Sequence, residues 1–398
     1  MLLYSKPAFF LFLALIFSGF PASPASSTQN SNLQRLQFFK WKQLHQKTYS
    51  TAEELEQRFF IWQNNHRHVQ EHNDAYNMGY TLYQKTINGP FADLTDDEFE
   101  AIYLMDPQDC SATSHHRSGR LRPSDDNNVD GPNLAVDWRT KGIMTPIKDQ
   151  GHCGSCWTFS TSGCLEAHTC LAAGKDCTSW RGLSEEQLVE CAGAFDNHGC
   201  YGGLPSHAFG YLKYNGGMAT EEDYPYMAPQ NGGNSTCSIE SRSQGRWRAQ
   251  VAEVFNITSR DEDDLVHAVA TIGPVSIAYQ VSPDFRFYQH GIYDSYNVTS
   301  NQTMCHSGNH DVNHAVVAVG LGTSDDKKTN VTTDYFIVRN SWSANWGMEG
   351  HFWIKRGVNL CGLSDCASFP IVPTRTENWT NGFASKTHFG VSLRGNTE

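Results

Sequence analysis

Twelve cysteines behind a short apolar leader restrict what this chain can become more than any other feature. Met1 to Phe20 reads as a secretory signal. Lys6 supplies the positive start, Ala8 to Phe20 the apolar stretch, and a small-residue run from Pro21 the exit, so residues 1–25 stand apart from the fold. The apolar run is short for a bilayer, which makes an uncleaved anchor the weaker reading, and no mature membrane span is expected. Six Asn-x-Ser/Thr sequons at Asn234, Asn256, Asn297, Asn301, Asn330 and Asn378 suit glycosylation in the secretory pathway. In that setting the cysteines read as a partly oxidised framework, and the protein as lumenal or secreted.

Charge and composition then exclude several classes. Lys+Arg minus Asp+Glu is 30 − 42 = −12, which argues against a nucleic-acid partner gripped by a basic surface. Apolar residues at 39% can build a core, and charged residues at 18% are too few for a disordered, charge-rich chain. Residues 26–105 are rich in Glu, Gln, Asn, His and aromatics, with apolar side chains at helical spacing. Residues 114–132 carry almost nothing to bury and read as an exposed linker, where proteolysis concentrates. The body, 133–373, is helical in its first half. Its second half has strand-like runs at Ile272 to Gln280, Asn313 to Gly320 and Asp334 to Asn340. Residues 374–398 form a polar tail with no packing pattern.

The chemistry concentrates in Gln150-Gly-His-Cys-Gly-Ser-Cys-Trp157, which leads into an apolar helical stretch from Thr158 to Leu171. A CxxC can be half of a zinc site, but no second CxxC exists to complete it, so no metal is expected. It can also be a redox pair, but no thioredoxin-like βαβ pattern adjoins it. The remaining reading places Cys156 at a helix N-terminus, where unpaired N–H groups and the dipole favour a thiolate. A thiolate nucleophile needs a base, and the base needs an orienter. Val312-Asn-His314 opens a strand-like run and Arg339-Asn340-Ser-Trp342 ends another, which gives the order Cys156, His314, Asn340.

With these residues the chain resembles the papain-like cysteine peptidases, from Phe39 to Pro373. The resemblance implies an α+β fold of two domains, a helical left one and a β-barrel-like right one, preceded by a helical inhibitory propeptide. It implies Cys156 as nucleophile, His314 as general base and acid, and Asn340 as orienter of the imidazole. Gln150 with the Cys156 N–H would form the oxyanion hole, and Trp342 would cover the Asn340–His314 hydrogen bond. Gly202 and Gly203 would line the cleft, because a substrate backbone approaches glycine closely. The pro-region carries a matching helical pattern, Glu54-x3-Arg58-x3-Trp62-x2-Asn65-x3-Val69-x3-Asn73. A second motif ends at Phe91-Ala-Asp93, with Ile87 and Gly89 where the family has Gly and Asn. The expected partners are peptide and protein substrates, the chain's own propeptide and cystatin-type inhibitors. The resemblance implies no cofactor and a monomer.

Two body segments, Asn197 to Ser206 and Cys361 to Ser368, resemble the cathepsin H and aleurain branch. So does Asp106-Pro-Gln-Asp-Cys110-Ser-Ala-Thr113, which is similar to that branch's mini-chain. There a propeptide fragment stays disulfide-bound in the cleft, and its terminal carboxylate meets the substrate's amino group. Carried over, residues 106–113 would remain after cleavage, Thr113 would supply that carboxylate, and Cys110 would pair with Cys366. Asp106 and Asp109 depart from the branch's Glu and Asn. The resemblance further implies Cys153–Cys200, Cys191–Cys237 and Cys305–Cys361. Of the cysteines left, Cys170–Cys177 is offered as an extra bridge and Cys164 as a buried free thiol. The expected enzyme is a lysosome- or vacuole-type aminopeptidase with limited endopeptidase activity. An ordinary endopeptidase that loses the octapeptide is the alternative, and a non-catalytic binding protein on the same scaffold a remote one.

Overall fold

The computed structural model describes residues 24–110, 134–233, 236–239, 248–297, 300, 302–308, 310–326 and 331–373. The polar linker, Thr113, the C-terminal tail and the sequons at Asn234, Asn301, Asn330 and Asn378 lie outside the described residues.

The chain divides into two compact units, 1–59 and 60–398. The first holds α1 (Pro24–Leu44) and the opening turns of α2 (Ala52–Asn77). Thr51 starts α2 by accepting from the Glu54 N–H at 3.1 Å, and the Glu54 carboxylate reaches back to the Ser50 N–H at 2.7 Å. That exchange satisfies backbone donors the helix cannot pair itself. Phe38 is fully buried, 5.3 Å from Phe59 and 5.9 Å from Trp41, while Arg35 pairs with Glu56 and lies over the Phe59 ring.

In the second unit the remainder of α2 uses its polar residues as hooks. Asn65 donates to the carbonyls of Ala92 and Leu94, both at 2.9 Å. Asn73 exchanges two hydrogen bonds with the Lys85 backbone (2.8 and 2.9 Å). Lys85 ends β1 (Tyr83–Lys85), which pairs antiparallel with β5 (Tyr288–Tyr293) of the body. The pro-region thus adds a strand to the body's sheet. Past a capping box between Thr95 and Glu98, α3 (Asp96–Tyr103) delivers the chain into the cleft.

The body's helical half holds α4 (Cys156–Ala173), α5 (Glu185–Cys191) and α6 (Pro205–Asn215). Nearly all of α4 is buried, and the polar side chains of Ser160, Ser162, Glu166 and His168 are hydrogen-bonded inside the body. The sheet half runs β1-β5-β10-β9-β8-β4-β11-β3, with β2 (Val136–Asp137) beside β8. Its members are β3 (Glu253–Asn256), β4 (Val275–Tyr279), β8 (His314–Asp326), β9 (Val331–Arg339), β10 (His351–Lys355) and β11 (Cys366–Ile371). A two-stranded ribbon, β6 (Tyr296–Asn297) with β7 (Gln302–Thr303), lies apart. The three strand-like runs of the sequence become β4, β8 and β9. The α+β expectation holds, and the barrel-like half is not closed: among the described residues the sheet ends on β1 and β3, and no ladder joins these edges. The pro-region's β1 occupies one of the edges where closure would have to occur.

Four disulfides lie within the body, Cys153–Cys200, Cys170–Cys177, Cys191–Cys237 and Cys305–Cys361, and a fifth, Cys110–Cys366, ties the segment ahead of it to β11. Cys156 and Cys164 stay as thiols, the latter with its Sγ donating to the Pro274 carbonyl. No described helix is long and apolar enough to cross a membrane. Of the two sequons among the described residues, Asn297 is half-buried in the ribbon. Asn256 keeps 9% of its surface, and a glycan there would have little room to leave the fold.

Candidate active site

Backbone register brings the site together. Cys156 is the first residue of α4, His314 the first of β8, and Asn340 the first after β9. Because β8 and β9 run antiparallel with Val317 opposite Arg339, the start of one strand lies beside the end of the other. The Cys156 Sγ accepts the Ala315 N–H at 3.4 Å, so the thiol is held by the residue next to His314. His314 Nε2 lies 2.9 Å from Asn340 Oδ1. A carbonyl oxygen only accepts, so Nε2 carries the proton and Nδ1 keeps a lone pair. That Nδ1 has no hydrogen-bond partner among the described residues. The Ser341 N–H also donates to Asn340 Oδ1 (2.8 Å), which fixes the amide's orientation.

Trp342 stacks on the imidazole, with ring centres 4.7 Å apart and planes 27° apart, and is itself buried. Phe91 and Phe99 of the pro-region meet the indole edge-on at 5.7 and 5.3 Å. Trp342 therefore shields the His314–Asn340 bond from water and forms a floor on which the pro-region rests.

Gln150 is fully buried. Its side-chain amide donates to the carbonyls of Tyr103 and Cys153, both at 2.9 Å, and its Oε1 accepts from Ser341 Oγ at 2.7 Å. Tyr103 belongs to the pro-region, so a carbonyl of the chain itself occupies the amide donor. The chain continues through the cleft on backbone bonds: Met105 N to Asn313 O (3.0 Å), Asp106 N to Tyr201 O (2.9 Å) and Gln108 N to Val312 O (2.9 Å). Glycines make room for it. A Cβ on Gly154 would come within 2.8 Å of the Leu104 carbonyl, and one on Gly202 within 2.6 Å of Gln108 Nε2. At Gly203 a Cβ would meet the Trp157 ring at 2.9 Å, so the body's own core leaves no room for a side chain there.

Burial sets the protonation of the covered site. It pushes the Cys156 thiol up to about 12, partly offset by the Ala315, Trp157 and Cys156 N–H groups. It also drives His314 down to about 4 against the Asn340 hydrogen bond. Under the pro-region burial therefore favours the uncharged form of each partner. Among the described residues no cluster of His, Cys, Asp or Glu could hold a metal ion.

The structure brings Cys156, His314, Asn340, Gln150 and Trp342 into one buried constellation and runs 104–108 across it. Sequence reading missed Ser341, which stands between Asn340 and Trp342 in a motif that was quoted but given no role for its serine. The Tyr103 carbonyl left no signal at all, since every residue has one.

Comparison with known proteins agrees with this geometry. Residues 133–371 match the family described as "Papain family cysteine protease", and residues 38–99 match the "Cathepsin propeptide inhibitor domain (I29)". A pro-cathepsin H of Bos taurus is 43% identical over 89% of this chain and 95% of its own. A thiol protease described as aleurain-like from Arabidopsis thaliana is 42% identical over 85% of this chain and 84% of its own. Among solved structures, a digestive procathepsin L2 proteinase from the Tenebrio molitor larval midgut aligns with a TM-score of 0.71. It is 30% identical and covers 85% of this chain and 99% of that one.

Proposed function

The chain belongs to the papain family of cysteine proteases and is a cysteine peptidase zymogen carrying its own propeptide inhibitor; on that premise we propose that it matures into an aminopeptidase with limited endopeptidase activity. Cys156 is the nucleophile, His314 the base and then the acid, and Asn340 the residue that orients the ring. Once the pro-region leaves, water and substrate dipoles reach the site, and the Cys156 proton passes to His314 Nδ1. The thiolate adds to a peptide carbonyl, the Gln150 amide and the Cys156 N–H receive the oxyanion, and the imidazolium protonates the departing amine. Water then attacks the thioester with His314 as base. Losing one such oxyanion donor typically costs about 3 kcal/mol of transition-state stabilisation.

The observation that carries the exopeptidase reading is the Cys110–Cys366 bridge, closed across 256 residues. A cut before Asp106 and another after Thr113 would discard 114–132 yet leave 106–113 bound beside the site. The backbone bonds of Asp106 and Gln108 to Tyr201 and Val312 hold residues 106–108 along the cleft. Such a segment excludes long chains, and its terminal carboxylate would select a protonated α-amino group, whose reference pKa is roughly 7.7–8.0. A signal at 1–25, the surviving sequons and the disulfides support a lysosome- or vacuole-type setting or secretion. Cystatin-type inhibitors, which would compete for the same cleft, and a monomeric state complete the reading.

Turnover of a peptide with a free N-terminus should exceed that of its N-acetylated form, with the advantage shrinking as pH rises above about 8. Cys110→Ser should release the octapeptide and raise cleavage of long peptides. Equal turnover of both substrates in the matured protein, with no gain in Cys110→Ser, would favour the plain endopeptidase.

A further inference from the structure

We infer that Tyr226 is a positioning residue for the reaction, its hydroxyl joining the two ends of the Gln150–Cys156 loop so that the two oxyanion donors stay in register. The inference rests on the proposed roles of Gln150 and Cys156, and it gives a task to a residue in neither.

The hydrogen bonds leave one assignment of protons. Tyr226 Oη lies 2.8 Å from the Gln150 backbone carbonyl and 2.6 Å from Ser155 Oγ. The carbonyl can only accept, so the single phenolic proton goes there, and the Ser155 hydroxyl must donate to the phenol oxygen. Burial raises the phenol pKa further, which keeps that proton in place. One oxygen therefore ties the residue that supplies the side-chain donor to the residue just before the one that supplies the backbone donor.

Ser155 gives up its ordinary task to do this. It is the N-cap of α4, where a serine normally accepts an N–H of the first turn, worth about 1 kcal/mol. Here it makes no side-chain cap. Turned toward Tyr226, its oxygen takes no N–H of the first turn; the Thr158 N–H donates to the Ser155 carbonyl instead, at 2.8 Å.

The phenol is itself held from several sides. The Tyr226 N–H donates to Glu221 Oε1 (3.0 Å), and the next two N–H groups, of Met227 and Ala228, donate to Glu186 Oε2 (2.7 and 2.8 Å). The Phe159 ring meets the tyrosine ring edge-on at 5.0 Å. Behind the loop, Pro229 packs so closely on Gly151 that a Cβ there would lie 2.8 Å from its ring. Position is thus passed from buried carboxylates to the donors, the kind of support that makes donors effective without reorganising during reaction.

The test uses the full chain, matured by the same added aspartic protease in every case so that processing does not depend on the variant's own activity. Tyr226→Phe keeps the ring on Phe159 and removes only the oxygen. Peptide turnover should show kcat reduced about 10-fold with KM within about twofold, since a misplaced donor costs part of what a lost one does. Alkylation of Cys156 by iodoacetamide develops no oxyanion and should proceed at the parent rate, whereas affinity for a peptide aldehyde should fall in step with kcat. Ser155→Ala, which cuts the other arm, should reproduce the pattern if Tyr226→Phe folds poorly. With Gln150→Ala already present, Tyr226→Phe should cost much less than it does alone. An unchanged kcat in both Tyr226→Phe and Ser155→Ala, with Gln150→Ala impaired, overturns the inference alone. An unimpaired Gln150→Ala overturns the oxyanion-hole reading and this inference with it. Equal losses in alkylation and turnover place the effect on the thiol and overturn it as well.

Discussion

Two buried polar clusters of the body treat hydrogen bonding in opposite ways. Around Lys148 the valences are filled. Its ammonium lies 2.8 Å from Glu166 and 2.6 Å from Glu185, and it donates to the Leu183 carbonyl. The carboxylates also take Thr145, Ser162 and the Leu183 N–H. Around His314 they are not. His314 Nδ1, Asn340 Nδ2 and Trp342 Nε1 have no partner among the described residues. A buried polar atom left so costs about 1–3 kcal/mol. The first cluster fastens α4 and α5 to the loop bearing Lys148. The second keeps a lone pair available on His314, which a proton acceptor requires. Stability is forgone where a reaction needs an open valence.

The sharpest way to break this contrast is to remove reacting atoms from the unsatisfied cluster. Cys156→Ala should lower peptide turnover by about 10⁴-fold or more, because a nucleophile cannot be replaced in part. The thermal midpoint should stay close to the parent's, since the hydrogen bond lost is the 3.4 Å contact from the Ala315 N–H to the sulfur. A large drop in the midpoint would mean that this cluster too is structural.

The opposite change, Lys148→Met, takes from two buried carboxylates the cation that bonds them directly and leaves them only the electrostatic neighbour Arg339. It should cost about 3–5 kcal/mol in denaturant unfolding, while the molecules that remain folded keep near-parent kcat. A loss of kcat without a loss of stability would reverse the roles assigned to the two clusters.

A third, smaller effect concerns the cover under which burial favours the uncharged forms of Cys156 and His314. His72 in α2 donates to the Tyr83 carbonyl at 3.0 Å, and burial, followed by the Lys85 cation, holds it down to about 3. Around it lie Tyr83, His68 and the buried Lys85–Asp284 pair, with Lys85 Nζ 2.6 Å from Asp284. A free imidazole titrates near 6.5. The folded form therefore binds fewer protons than the unfolded one between about 6.5 and 3. Its stability is full above that range and declines as pH falls through it. At pH 4.5 the loss from His72 is on the order of 2 kcal/mol. In a Cys156→Ala background that prevents self-cleavage, His72→Gln should narrow the difference between melting temperatures at pH 7 and pH 4.5. An unchanged difference would assign acid sensitivity elsewhere.

Much of the site was legible because its signals are local. The Gln150 to Trp157 segment ahead of an apolar helical stretch marks a thiol at a helix start, and His314 and Asn340 sit at the ends of strand-like runs. The contributions of Ser155, Ser341 and Tyr226 were not legible, because each depends on which backbone lies opposite. The Lys148 cluster escaped for the same reason, its members spread from Thr145 to Glu185. The Trp157 ring that bars a side chain at Gly203 was not legible either, because a glycine's neighbours are set by the fold. The sheet was expected barrel-like, and its open edges depend on strand pairing that periodicity does not encode.

Spacing and composition by themselves determine a thiol at the start of an apolar helical stretch and helical periodicity ahead of it, since helical period and side-chain chemistry are properties of neighbours in sequence; the roles of nucleophile, base, orienter and cover came with the resemblance those residues carry. Tertiary structure alone decided that the Tyr103 carbonyl fills the Gln150 donor, that burial favours the uncharged forms of Cys156 and His314, and that Tyr226 spans the loop. Those outcomes depend on contacts between residues dozens to hundreds of positions apart, whose geometry exists only after the core has packed.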